Sequence, residues 1–180
     1  EAAFTPLVSD LPGRLVAAPA RAPFERVARA KTAGAAESFE RQIAAAGLSH
    51  DLVVVDTPPV AANQAVAAVN ACDGVVLVAP DTRRGADGVA RVSAVLKDVG
   101  TDADDVLATF AGDEPNALPG AAARVPETRV HDAGACPSCL REDSPIAQPM
   151  ATAVESVLDT DLSIEFDAAG GLEAYLDRLP

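Results

Sequence analysis

The stretch GVVLVAPDTRRGADGVARVSAVLKDVG, residues 74–100, changes its hydrophobic period halfway along. GVVLVAP (74–80) is a continuous apolar run, which suits a strand buried on both faces better than one with a wet side. Beyond Asp81 the period lengthens: Val89, Val92, Leu96 and Val99 line one helical face, and Asp81 or Thr82 offers a capping oxygen at its start. A buried strand followed at once by an amphipathic helix is half of a βαβ unit, so a parallel sheet is expected.

The same alternation continues outward on both sides. RLVAAP (14–19), DLVVVD (51–56), DVLATF (105–110) and ARVPE (123–127) are further strand candidates. Phe39, Ile43 and Ala46 repeat at helical spacing before the stop at Gly47, and Val66 and Val69 do so before the Cys72-Asp73-Gly74 turn. Ile146, Met150, Val154, Val157 and Leu158 form a later stripe, where Pro149 is expected to break the first turn and make Gln148 the cap. A last amphipathic segment carries Leu172, Tyr175, Leu176 and Leu179, while 113–120 and 131–143 read as loops. The expectation is one α/β domain over 1–180, with a three-layer, mostly parallel sheet and helices on both faces.

Composition narrows the possibilities. Of 180 residues, 49% are hydrophobic but only 3% aromatic, with no Trp, so the core must be built from Ala, Val and Leu. The formal net charge is −13, and Lys31 and Lys97 are the only lysines. This acid-rich, Lys-poor balance resembles proteins of salt-loving organisms, where ionic strength screens self-repulsion. It opposes nucleic-acid binding by bulk charge, which needs clustered Lys and Arg. No run approaches the roughly 18 apolar residues of a membrane span, and nothing reads as a signal peptide, so a cytoplasmic protein is expected. Three cysteines do not suggest a disulfide framework and fit a reducing compartment.

Asp56 closes the run Leu52-Val53-Val54-Val55. At the carboxyl end of a parallel strand, where ligands of open sheets collect, its carboxylate is suited to Mg²⁺ held through water. The plain alternative is an exposed acid ending a buried strand. HDLVVVDTPP (50–59), taken with ACDGVVLVAPDTRRGADGVARVSAVLKDVG (71–100), resembles the MinD/ParA family of P-loop ATPases, and the resemblance extends through RVPE and DSPIAQPMATAVESVL to cover most of 12–160.

That resemblance implies a P-loop NTPase-like fold and Mg²⁺-dependent ATP hydrolysis coupled to homodimerisation, in a chromosome-partitioning or positioning role with a cargo or adaptor protein. Carried onto this chain, Asp56 would hold Mg²⁺ through water, and Thr57, Pro58 and Pro59 would sense the γ-phosphate. The family's glycine-rich loop ending in Gly-Lys-Thr, which cradles the phosphates, has no counterpart in this sequence. The N-terminal βαβ portion is therefore expected to be missing, and the chain as written is expected neither to bind ATP tightly nor to hydrolyse it. Where the family reads adenine with an Asn, this chain has Thr109-Phe110-Ala111.

ACPSCL places Cys136 and Cys139 in a Cys-x-x-Cys loop, half of a four-thiolate site. A related branch of the superfamily shares such a pair across a dimer. The alternative function is therefore a non-catalytic scaffold that binds Zn²⁺ or a shared iron–sulfur cluster at a dimer interface. A redox pair, or a reduced pair with no role, is the competing reading, and His131 is either a third ligand or a solvated loop residue. Cys72 reads as a small buried hydrophobe. Arg14, Arg21, Arg26, Arg29 and Lys31 fit a solvated helix face better than a patch for nonspecific DNA. The C-terminal stripe is similar to the membrane-targeting helix of MinD, but its acidic polar side favours core packing and no membrane contact.

Overall fold

The computed structural model describes residues 4–8, 13–20, 32–59, 62–112, 116–128, 139, 144–164 and 166. Two compact units emerge: Glu1–Asp73 with Asp98–Thr101, and Gly74–Lys97 with Asp102–Pro180.

In the first unit, β1 (Thr5–Val8) and β2 (Leu15–Ala17) pair antiparallel, Thr5 opposite Ala17, with a register shift between Pro6 and Val8. The 14–19 run is thus a strand in part, but not a member of the parallel sheet. Helix α1 (Ala33–Gly47) starts where the Thr32 hydroxyl accepts from the Ala35 N–H at 3.3 Å. It packs on α2 (Asn63–Ala71) through small residues: Ala36, Ile43 and Ala46 are buried on α1, and Ala65, Ala67 and Ala68 on α2. The side chains there are too short to hold two helices far apart.

The run 51–56 is not a strand. Its backbone has no regular secondary structure, Leu52 is 56% and Val54 84% exposed, and no backbone hydrogen bond pairs residues 52–56 among the described residues. A β-branched run favours extended φ/ψ on its own, but a strand exists only when a neighbour supplies the ladder. The expected burial on both faces fails here for want of that neighbour.

The second unit contains a three-stranded parallel sheet in the order β3 (Val76–Pro80), β4 (Asp105–Ala111), β5 (Ala123–Pro126). Val76 lies opposite Asp105 and Leu107 opposite Ala123. Helix α3 (Arg83–Asp98) connects β3 to β4, as its apolar spacing predicts, and Ala86 and Val89 pack against a core of Ala79, Ala108 and Leu118. Leu96 is fully buried. β3 lies at the edge of this sheet among the described residues, and Val78 on it stays 63% exposed, so the expectation of burial on both faces fails there too.

Two details fix the β3–α3 corner. Thr82 caps α3, its hydroxyl accepting from the Gly85 N–H at 3.1 Å, and Gly85 lies so close to the Pro80 carbonyl that a Cβ there would collide with it. At the opposite end of β3, the Asp104 carboxylate accepts from the Val75 N–H at 2.7 Å. Helix α4 (Ala147–Leu158) packs on β5 and β4 and ends at Asp159, whose φ of 46° is left-handed. It begins before Gln148, which is therefore not the cap. Pro149 is its third residue, where no N–H has an intrahelical acceptor to lose, so the helix tolerates it.

Candidate functional site

Parallel strands release their chains at the carboxyl edge, and there the second unit concentrates its polar contacts. Asp81 leaves β3 with its side chain only 2% exposed. Its Oδ1 accepts from the Ala117 N–H at 2.8 Å and the Leu118 N–H at 3.1 Å, while Oδ2 accepts from the Arg124 guanidinium of β5 at 2.5 Å. Arg124 also donates to the Gly112 carbonyl just past β4 at 3.4 Å, and the Asp81 N–H donates to the Thr109 carbonyl at 2.8 Å. The carboxylate thus ties the exit of β3 to the 116–118 turn and to Arg124 of β5, while the Asp81 N–H and Arg124 reach the carbonyls at and just past the end of β4. Three donors already engage this buried group, which makes it a clamp and leaves it poorly placed to move protons for a substrate.

Beside the clamp, β4 carries a strained residue. Phe110 has φ of 52° within the register shift between Thr109 and Ala111, and its side chain is 63% exposed. A bulky residue in the left-handed region costs about 1–2 kcal/mol. The bulge turns an aromatic ring outward at the sheet's carboxyl edge.

The residues expected to carry chemistry are placed differently. Asp56 lies in the first unit at the end of the unpaired 51–56 segment, exposed, with no hydrogen bond or ion pair to its carboxylate among the described residues. Thr57 is half-buried and Pro58 and Pro59 are exposed, consecutive on the same irregular backbone. As a free hard-oxygen donor, Asp56 fits an outer-sphere Mg²⁺ contact. Nothing in the sequence fits the phosphate cradle that contact would serve. Cys139 is a free, half-buried thiol, while Cys136, His131, Arg21, Arg26, Arg29, Lys31 and the 172–179 stripe lie outside the described residues. Among the described residues no group of three or more His, Cys, Asp or Glu side chains is arranged to hold a metal ion.

The first unit also carries an open cleft of about 320 Å³ lined by Ile43, Gly47, His50, Leu52, Cys72 and Asp73 among others. Cys72 is not a nucleophile in waiting. Burial first, and the Asp73 carboxylate second, push its thiol pKa upward, so it stays protonated at neutral pH. His50 is tied down as well. Its Nδ1 donates to the Ala46 carbonyl at 3.0 Å, Nε2 accepts from Arg14 at 3.4 Å, and the Phe4 ring sits 5.2 Å away.

In the sequence Asp81 stands out only as a candidate helix cap, and Arg124 does not stand out at all. The cap is Thr82, and Asp81 makes contacts 36 to 43 residues away. The one available signal was an arginine inside an apolar strand, since such a residue needs an acid. No helix among the described residues is long and apolar enough to cross a membrane. Comparison of the chain with protein-family models, with curated proteins and with solved structures finds no match.

Proposed function

We propose that the chain is part of a nucleotide-dependent switch of the MinD/ParA type, a P-loop NTPase-like fold in which ATP and Mg²⁺ control association. The observation that carries this reading is the order of the second unit. A parallel β3–α3–β4 unit is followed by β5 and by a helix packed on β4 and β5, in the sequence order that the resemblance implies. The exposed, unengaged carboxylate of Asp56 is compatible with an outer-sphere Mg²⁺ contact, and the Thr57 to Pro59 turn with a phosphate sensor.

The sequence holds no Gly-Lys-Thr loop, so hydrolysis requires a phosphate cradle from elsewhere and this chain alone is inactive. Homodimerisation and a cargo protein belong to the same proposal. Weak recognition remains testable on the chain itself. At about 10 mM Mg·ATP, a Kd near 1 mM stabilises by roughly 1.4 kcal/mol. A rise in Tm that needs Mg²⁺ and disappears in Asp56→Ala is the expected result. An unchanged Tm, or one raised equally in Asp56→Ala, refutes the reading.

A further inference from the structure

The most anomalous segment in the molecule is the acid-bounded run from Asp51 to Asp56. Three consecutive valines carry the chemistry of a sheet interior, yet among the described residues they belong to no strand and their N–H and C=O groups have no backbone partner. Exposure alternates along the run, Leu52 and Val54 largely exposed and Val53 and Val55 half-buried, which is the period of an extended chain with one open face. An apolar, β-branched run with unpaired backbone is a template on which a second chain can complete a ladder.

Charge selects among the candidates. Asp51 and Asp56 bound the run. A second copy of the chain would set acid against acid in either orientation: Asp51 against Asp56 if antiparallel, each against itself if parallel and in register. Both copies would also carry a net charge of −13. A complementary strand has the opposite ends. It is extended to complete the ladder, aliphatic at alternate positions to cover Leu52 and Val54, and basic at its flanks to meet the two carboxylates.

We propose that residues 51–56 are a receiving strand for an extended aliphatic segment of another polypeptide with Lys or Arg at each end. The inference rests on the unpaired backbone and its flanking acids, so it stands or falls separately from the nucleotide reading.

The probe is a fluorescently labelled, end-capped hexapeptide, Lys-Val-Ile-Val-Val-Lys, titrated with the full chain by anisotropy and followed by amide hydrogen exchange. In the free chain the amides of 52–55 are expected to exchange almost as fast as in an unfolded peptide, and to become protected when the peptide is added. Replacing both terminal lysines by Glu is expected to weaken binding by about tenfold or more at low salt, and added salt to narrow the gap. Val54→Pro removes a ladder donor at a position already exposed, so the fold survives, and it is expected to lose about tenfold in affinity. Overturning results are protection of 52–55 in the free chain, equal binding of Lys- and Glu-flanked peptides, or no binding. Concentration-dependent dimerisation that protects 52–55 without peptide also overturns it, by making a second copy the occupant. Mg·ATP stabilisation in the same samples reports on the nucleotide reading alone.

Discussion

Replacing Asp81 by Ala should be among the most damaging single changes in the second unit. The substitution removes an acceptor for two backbone N–H groups and for Arg124, and leaves those donors at the edge of a core that water reaches poorly. Breaking one side of a buried pair costs about 3–5 kcal/mol. Arg124 is 34% exposed and can recover some hydration, which lowers the figure to about 3 kcal/mol. For a chain of this length that corresponds to a fall in Tm of about 6–12 °C. Asp81→Asn keeps an acceptor for the Ala117 and Leu118 N–H groups but gives up the charge, and should cost roughly half as much. Urea unfolding of wild type, the two variants, Arg124→Ala and the Asp81/Arg124 double variant provides a coupling energy. Hydrogen exchange should localise the damage to 116–118 and the carboxyl ends of β3–β5. The reasoning is wrong if Asp81→Ala costs under about 1 kcal/mol, or if Asn and Ala are equally harmful.

Gly85→Ala forces a Cβ onto the Pro80 carbonyl and is expected to cost about 2–3 kcal/mol in urea unfolding, whereas Gly88→Ala, on the same helix with open space around it, should stabilise by about 0.5–1 kcal/mol. Leu96→Ala, at a fully buried position on α3, should lower stability by about 3 kcal/mol by the same assay, against almost nothing for Leu48→Ala, where the side chain is 92% exposed. Cys72 supplies a pH test. Its folded pKa is raised, so its contribution to stability is complete below the unfolded thiol value of about 8.5 and disappears as pH climbs through the folded one. In a Cys136→Ser/Cys139→Ser background, Cys72 should react with Ellman's reagent more slowly than free cysteine at pH 8, and a faster rate there would contradict the assignment.

How much of this was legible in the sequence depended on distance along the chain. The β3–α3–β4 corner declares itself because the apolar run, the cap at Thr82 and the stripe through Leu96 are all local. RLVAAP was readable as extended, but its partner Thr5–Val8 contains Pro6 and spans only four residues, so the antiparallel pairing left little trace. DLVVVD misled for the opposite reason: its composition is that of a central strand, and composition says nothing about whether a neighbour is present. Pro149 misled through one turn of helix geometry. The clamp was hidden because Asp81 and Arg124 are 43 residues apart, and only the folded sheet brings them together. The role proposed for Asp56 rests on its place at the end of an apolar run and on the resemblance, and its free carboxylate follows from its position on an unpaired segment.

The alanine core has a thermal consequence. Among the buried hydrophobic residues of the described part only Ile43, Leu96 and Leu118 are larger than Ala. Each methyl group hides little surface, so unfolding exposes less apolar area per residue than it would from a core of Leu and Phe, and the heat-capacity increment shrinks with it. A small increment flattens the curve of stability against temperature, pushing cold denaturation further down and letting stability fall only gradually on warming. Such a protein trades a high maximum for a broad plateau, and calorimetry would see a shallow dome.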